Sequence, residues 1–250
     1  MENERKSIPL NEFLSLMSLA AGRIVISTDE KISLEYDGFN IQAREFMKYA
    51  ETDLEQGTTQ GLVNALSNAK RAVDCQVDTV LGCFGLLSRR NFSEKIKALG
   101  QLGIVTPRIV SKVVRARNYL EHEFIKPTRE QVEDAVDVAY LFISLLDYGI
   151  RNFYFAFGIE PPMDEKPNGA VSIEYDCERK QYKLEGEIYS EPPNPDMPEI
   201  ILTTQAIIKP KEKGFFELVK LAFLLDKPNS ESEIKQQAAQ FLQLLGSRNP

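Results

Sequence analysis

The chain has 250 residues, which is enough to bury a sizeable core in one or two domains. Hydrophobic residues make up 43% and charged residues 27% of it, as in ordinary globular proteins. The net charge of −7 argues against a general nucleic-acid coat or a membrane-surface binder, but it leaves room for a local basic site. Cys75, Cys83 and Cys177 are too few and too scattered for a disulfide framework or a metal knuckle. We therefore expect a cytoplasmic protein without a metal or other cofactor.

The N-terminal segment, residues 1–57, has a mixed pattern. No apolar run reaches the roughly 18 residues of a membrane span, so no membrane partner is expected. Residues 13–22 are apolar but follow several acidic residues, which favours a short amphipathic helix capped by Asn11 over a signal peptide. Residues 23–27 and 31–36 alternate as strands do and predict a hairpin, and a helix is expected over 41–55.

Residues 58–158 carry only helical signals. Apolar residues spaced three and four apart predict a long helix over 59–86, with Cys75 and Cys83 in or near its core face. Shorter helices are expected over 93–102 and 107–124. The pattern from Thr128 to Gln131 is a capping box for a fourth helix, which is apolar enough to belong to the core or to a subunit interface.

A proline-rich linker over residues 159–169 marks the clearest boundary of the chain. The segment beyond it, 170–250, predicts strands over 170–175, 182–189 and 200–209, followed by helices over 215–225 and 230–245. The N-terminal hairpin is a candidate to join these strands in one sheet.

His122 is the only histidine of the chain, and histidine is the side chain that ordinarily titrates near neutral pH. Between Lys95 and Leu120 there are six cations and no acid: Lys95, Lys97, Arg108, Lys112, Arg115 and Arg117. A local charge of +6 in a protein of −7 suits phosphate binding. The alternative is a solvated helical face balanced by Glu130, Glu133, Asp134 and Asp137 of the next helix.

Helical geometry constrains which side chains can act together with His122. Asn118 is four residues before it and Arg115 seven, so both share its face. Arg117 is about 140° away on an ideal helix and could converge with His122 only at the helix end or from a second copy of the helix. Both arginines remain candidates on geometry alone.

The segment from Arg117 to His122, RNYLEH, resembles the R-x4-H motif of the HEPN family (higher eukaryotes and prokaryotes nucleotide-binding). Residues 65–81 are also similar to the opening helix of many bacterial members. The resemblance covers about 100 residues. It implies an α+β chain, mainly α, in which a HEPN-like antiparallel helical bundle is flanked by the N-terminal hairpin and helix and by a C-terminal segment of three strands and two helices.

The resemblance also implies an activity, that of a metal-independent endoribonuclease whose cleft forms between two identical subunits. Arg117 would hold the scissile phosphate of RNA and His122 would act as general acid or base. Asn118 would orient one of them, while Lys112, Arg115 and Tyr119 would contact the substrate. Such a protein would be a toxin or a stress or defence effector, with an antitoxin or another protein as partner. Phe124 replaces the tyrosine that is modified in one subgroup, so that form of regulation is not expected.

Two other hypotheses belong to different classes. A HEPN-like module can serve only for dimerisation, or for binding a partner or a nucleotide, without catalysis. Alternatively, the chain is a small-ligand binding protein whose site lies in the C-terminal α/β segment. No phosphate-binding glycine loop, metalloprotease motif or nucleophile turn is present to favour another enzyme class.

Overall fold

The structure is a computed structural model, which describes residues 6–16, 25–87, 91–104, 126–160, 169–189, 200–227 and 231–246. The chain divides into two compact units. The sheet unit combines Met1–Ile32 with Asn152–Pro250, and the helical unit is Ser33–Arg151. In chain order, the helical unit therefore interrupts the sheet unit.

The sheet unit contains a six-stranded mixed sheet. Its strands are β1 (Lys6–Ser7), β2 (Val25–Thr28), β5 (Ala156–Glu160), β6 (Gly169–Asp176), β7 (Gln181–Tyr189) and β8 (Ile200–Ile208), in the spatial order β1-β8-β7-β6-β5-β2. β1 runs parallel to β8, and the other neighbours are antiparallel. Two further strands, β3 (Lys31–Ile32) and β4 (Phe153–Tyr154), form a separate antiparallel pair.

Three further helices belong to this unit: α1 (Leu10–Leu16) contacts β8, and α7 (Glu231–Gly246) packs on α1 and on α6 (Phe215–Leu224). Alternate side chains of β6 and β7 are buried, as expected for strands with one face turned to a core. The ring of Phe215 on α6 meets that of Tyr182 on β7 edge to face, with centroids 5.7 Å apart. The core of the sheet unit thus lies between the sheet and these helices.

Gly186 on β7 allows a close approach between α1 and the sheet. A Cβ atom at this position would lie 2.7 Å from ring carbons of Phe13 and 2.7 Å from Cγ2 of Thr204. Phe13 is fully buried. The absence of a side chain at residue 186 therefore makes the space that the Phe13 ring occupies.

Tyr182 carries a buried hydroxyl with no hydrogen-bond partner in the described part of the chain. Burial raises its pKa well above the ordinary value, so the group is a neutral phenol. Because an unsatisfied buried hydroxyl costs about 1–3 kcal/mol, Tyr182→Phe is expected to raise the free energy of unfolding by about 1 kcal/mol. Urea denaturation followed by circular dichroism measures this difference.

Tyr189 on the same strand is the matched control. Its hydroxyl donates a 2.8 Å hydrogen bond to Glu187 Oε2, so Tyr189→Phe removes a satisfied interaction and should destabilise by about 0.5–1 kcal/mol. If both variants lose stability equally, the hydroxyl of Tyr182 has a partner after all.

In its described part, the helical unit is built from α2 (Ala43–Glu55), α3 (Thr59–Cys83), α4 (Phe92–Gln101) and α5 (Arg129–Arg151). Polar side chains cap α3, α4 and α5. The Thr58 hydroxyl accepts from the Gly61 N–H before α3, and the Asn91 side chain accepts from the Glu94 N–H before α4. Thr128 and Gln131 form the predicted reciprocal capping box of α5.

The long helix α3 is the centre of this unit and contacts α2, α4 and α5. Its side chains Val77 and Val80 are fully buried, as is Leu146 of α5. The helices are therefore held together by apolar side chains spaced three and four residues apart, as the sequence pattern predicts.

The predicted fold class is wrong. A mainly helical chain built on a HEPN-like bundle with three C-terminal strands was expected, whereas the chain contains a six-stranded mixed sheet. Three of these strands, β1, β2 and β5, come from residues assigned to other segments. Their partners are distant in sequence, such as Lys6 with Leu202, and a strand pattern does not identify its partner.

The N-terminal hairpin is one part of this correction. β2 pairs with β5, and β3 pairs with β4, so the two N-terminal strands do not pair with each other. Residues 152–160 are another part, because those up to 158 were assigned to the helical region and 159–160 to the linker, whereas they form β4 and β5. Buried Phe153, Phe157 and Ile159 account for this, since a strand buries them at alternate positions.

Several predicted elements lie within one or two residues of their expected bounds. These are α2, α4, the three strands β6 to β8, α6 and α7. The first helix begins at Leu10, so Asn11 lies inside it and does not cap it. None of the described helices is long and apolar enough to cross a membrane.

Candidate functional site

The residues predicted to form the ribonuclease site lie outside the described residues. These are Lys112, Arg115, Arg117, Asn118, Tyr119 and His122, all between residues 105 and 125. In sequence this segment falls between α4, which ends at Gln101, and α5, which begins at Arg129. Both helices belong to the helical unit.

The first cation of the predicted basic stretch is described, and it is neutralised. Lys95 Nζ lies 2.7 Å from Asp78 Oδ1 on α3, and its side chain is only 18% exposed. Lys97 is exposed on α4. Because Lys95 belongs to an intramolecular ion pair, it is not available to a phosphate, which lowers the expected charge of the stretch from six to five.

The helical unit also contains a polar cavity of about 270 Å³, which is lined by residues of three helices and of one preceding loop. The first turn of α2 contributes Gln42, Ala43 and Arg44, and the last turn of α5 contributes Asp147, Ile150 and Arg151. Gln76 and Thr79 come from the middle of α3, and residues 33–37 form the remaining wall.

Local sequence explains how these elements are positioned. The Gln42 backbone N–H donates to the Glu45 carboxylate at 2.9 Å, which closes a capping box at the start of α2. Leu34 is buried, and its N–H donates to the Ile150 carbonyl at 2.8 Å, which attaches the loop to the end of α5. The cavity is therefore bounded by one helix N-terminus and one helix C-terminus.

Two guanidinium groups in this cavity share one carboxylate. Arg151 Nε lies 2.8 Å from Asp147 Oδ2, and Arg44 Nη2 contacts the same oxygen from α2. The Asp147 side chain is 14% exposed, whereas those of Arg44 and Arg151 are 67% and 55% exposed. This trio has a net charge of +1 and retains guanidinium N–H groups that face solvent.

Gln76 adds a buried donor to the same cavity. The residue is 5% exposed, and its Nε2 has no hydrogen-bond partner among the described residues. A buried amide that lacks a partner costs about 1–3 kcal/mol of folding free energy. Such a group needs an acceptor that the described residues do not supply.

Cys75 lies on α3 next to this site but is not suited to act as a nucleophile. Its thiol donates to the Ile41 carbonyl over 3.5 Å. Partial burial raises its pKa, and the nearby Asp78 acts in the same direction, although a hydrogen bond from Thr79 opposes them. The thiol is therefore protonated at neutral pH.

A second hollow lies in the sheet unit, at the turn between β6 and β7. It is lined by residues that include Asp176, Arg179 and Lys183. The pKa of Asp176 is lowered, mainly by a hydrogen bond from the Arg179 backbone N–H and also by Lys183 at 3.6 Å. Because these charged groups satisfy one another, the hollow gives no support to a ligand site in the C-terminal segment.

No group of three or more metal-binding side chains occurs within the described ranges. The Arg44–Asp147–Arg151 cluster was missed in the sequence. Asp147 and Arg151 have the spacing of an ion pair on one helix, which was a usable signal. Arg44 and Gln76 were not recognisable as site residues, because their sequence neighbours do not indicate that they line a cavity together with the end of α5.

No protein-family model matches the sequence, and neither a curated protein nor a solved structure matches the chain.

Proposed function

We propose that this protein is a metal-independent endoribonuclease that acts through Arg117 and His122. The observation that carries the proposal is the R-x4-H motif around the only histidine of the chain. Arg117 would hold the scissile phosphate and stabilise its developing charge, and His122 would move the proton. Asn118 would orient the reacting groups, and Lys112, Arg115 and Tyr119 would contact RNA.

The charge of the chain supports an RNA substrate at this place. Arg108, Lys112, Arg115 and Arg117 occur within ten residues, with no acid among them, in a protein whose net charge is −7. A basic segment in an acidic protein concentrates phosphate-bearing ligands locally while the rest of the surface repels them. Substrate binding should therefore weaken steeply with added salt.

A homodimer is part of the proposal, because Arg117 and His122 would converge best from two copies. Support comes from an exposed apolar stripe on α5, where Leu141 and Tyr148 are 68% and 57% exposed. Tyr140 and Leu145 extend it, with the small Ser144 at its middle. If two α5 helices cross antiparallel at Ser144, Tyr140 of each helix faces Tyr148 of the other, which is a self-complementary arrangement.

Leu141→Glu is expected to weaken this dimer at least tenfold, because the substitution places a charge at the centre of an apolar interface. Sedimentation equilibrium measures the change in dissociation constant, and RNA cleavage at low protein concentration should fall in parallel. Val63→Glu is the control, since Val63 is 47% exposed on α3, away from the stripe. A dimer that withstands Leu141→Glu would show that α5 is not the interface.

We further propose a cytoplasmic setting and a role as a toxin or as a stress or defence effector, regulated by an antitoxin or another protein partner. The alternative function is a non-catalytic module for dimerisation or for binding a partner or a nucleotide. The exposed stripe on α5 is compatible with that alternative as well, since dimerisation does not require catalysis.

An RNA cleavage assay in the presence of a metal chelator distinguishes these functions. The ribonuclease should cut single-stranded RNA with EDTA present and leave ends that match attack by the 2′-hydroxyl, a 2′,3′-cyclic phosphate and a 5′-hydroxyl. A purified dimer that binds RNA but produces no cut at any concentration would favour the non-catalytic module.

A further inference from the structure

We infer that the cavity between α2, α3 and α5 binds the phosphomonoester group of a sugar phosphate or nucleotide. This site is separate from Arg117 and His122 and does not depend on the proposed ribonuclease activity. Its wall comes from described residues of the helical unit alone.

The helical wall of the cavity has the donors that a phosphate dianion requires. Arg44 and Arg151 flank Asp147 and leave one positive charge uncompensated. Planar guanidinium groups offer paired N–H donors in the geometry of a phosphate's oxygens. A phosphate that bridged both arginines would add to their contacts with Asp147 without replacing them.

Gln76 provides an independent reason to expect an acceptor. Gln76 lines the cavity and its amide nitrogen is buried without a partner among the described residues, so it has a hydrogen bond to donate to a phosphate oxygen that comes within reach. The start of α2 lies in the same wall, since Gln42, Ala43 and Arg44 line the cavity, and a helix N-terminus favours an anion.

The loop wall of the cavity has the opposite chemistry. Glu35 and Asp37 are exposed there, and carboxylates accept hydrogen bonds from sugar hydroxyls. A ligand with a phosphate at one end and hydroxyl groups at the other therefore fits both parts better than free phosphate does.

The size of the cavity agrees with such a ligand. Its volume of about 270 Å³ is close to the lower end of the roughly 300–1,000 Å³ found for small-molecule sites. The Tyr36 ring also lines it and is held in place against Gly82 of α3, where an added Cβ would lie 2.6 Å from the ring. The cavity can therefore accept a sugar phosphate with an aromatic surface beside it.

Isothermal titration calorimetry on the full chain tests this inference, with ribose 5-phosphate, adenosine 5′-monophosphate and inorganic phosphate as probes. We expect saturable binding of at least one of the two phosphomonoesters, tighter than that of inorganic phosphate. Ribose and adenosine without phosphate should bind at least tenfold more weakly. The two esters distinguish a sugar phosphate from a nucleotide as the preferred ligand.

Three variants locate the binding. Arg151→Gln and Gln76→Glu should each weaken it at least tenfold, the first by removing a guanidinium and the second by placing a carboxylate beside the phosphate. Arg129→Gln should leave it unchanged. Arg129 is the matched control because it lies on the same helix, is also 55% exposed and also pairs with an acid four residues along.

Circular dichroism must first show that each variant is folded, and Gln76→Met replaces Gln76→Glu if that one is not. The inference is overturned if neither phosphomonoester binds saturably, or if adenosine and its monophosphate bind equally well. It is also overturned if the folded Arg151 and Gln76 variants bind like the wild type. None of these results bears on RNA cleavage, so the ribonuclease proposal is tested separately.

Discussion

Replacing His122 by alanine should reduce the rate of RNA cleavage by about 10²–10⁴-fold, the range that a positioned general acid or base contributes. Arg117→Ala should cause a loss of similar size, because a guanidinium on the scissile phosphate stabilises charge that develops in the transition state. Single-turnover cleavage of a labelled RNA in EDTA measures both effects on the chemical step.

Arg115 is the informative comparison for Arg117. It shares the helix face of His122 on an ideal helix, whereas Arg117 is expected to reach the histidine only at a helix end or from a second subunit. If Arg117 acts on the phosphate, Arg115→Ala should weaken RNA binding and leave the saturated rate within about threefold of wild type. The reverse result would assign the catalytic role to Arg115.

Mixed dimers test whether the site is composite. A preparation that combines Arg117→Ala subunits with His122→Ala subunits should recover activity if each cleft takes its arginine from one copy and its histidine from the other. Full activity in the His122→Ala homodimer would contradict the mechanism, since no other histidine exists in the chain to replace it.

Phe13→Ala should destabilise the sheet unit by about 3–5 kcal/mol, the usual loss for a fully buried aromatic side chain. The ring is fully buried, and it occupies the space above Gly186 beside Thr204. Its removal leaves a cavity between α1 and the sheet. Urea denaturation followed by circular dichroism at 222 nm is suited to the measurement, because the chain has no tryptophan to serve as a fluorescent probe.

Leu16→Ala on the same helix is the control, with an expected loss below about 1 kcal/mol because Leu16 is 45% exposed. Gly186→Ala should also be destabilising, and less so in the Phe13→Ala background, where the ring that the new methyl group would meet is gone. Equal losses from Phe13→Ala and Leu16→Ala would show that α1 does not pack on the sheet as described.

Local patterns predicted most of the individual elements. The helix period of α3, the capping box at Thr128 and Gln131, and the alternation of β6 and β7 are all readable from neighbouring residues. The predicted hairpin was wrong because the strand patterns of residues 25–28 and 31–32 are equally compatible with pairing across a local turn and with pairing to distant strands. Only the chain returning at Asn152 provides β4 and β5 as their partners.

The two candidate sites differ in the same way, since one is local in the sequence and the other is formed by residues far apart in it. The R-x4-H motif is contained in six consecutive residues, so it was found in the sequence and remains a prediction of function. The Arg44–Asp147 contact joins residues 103 positions apart, and Gln76 reaches the same cavity from a third helix. No local signal marks such a meeting, because each residue alone has the features of an ordinary helix surface or core position.

The amino-acid sequence is sufficient to specify the features that depend on residues close together in the chain. These are the helix periods, the caps, the strand alternation and the charge contrast around the lone histidine. Only the tertiary structure decided the strand partners and the formation of the sheet unit from two separate chain segments. It also decided the grouping of two arginines and a buried amide at one cavity. These features depend on the burial of side chains that are far apart along the chain, and the free energy of that burial depends on which surfaces meet.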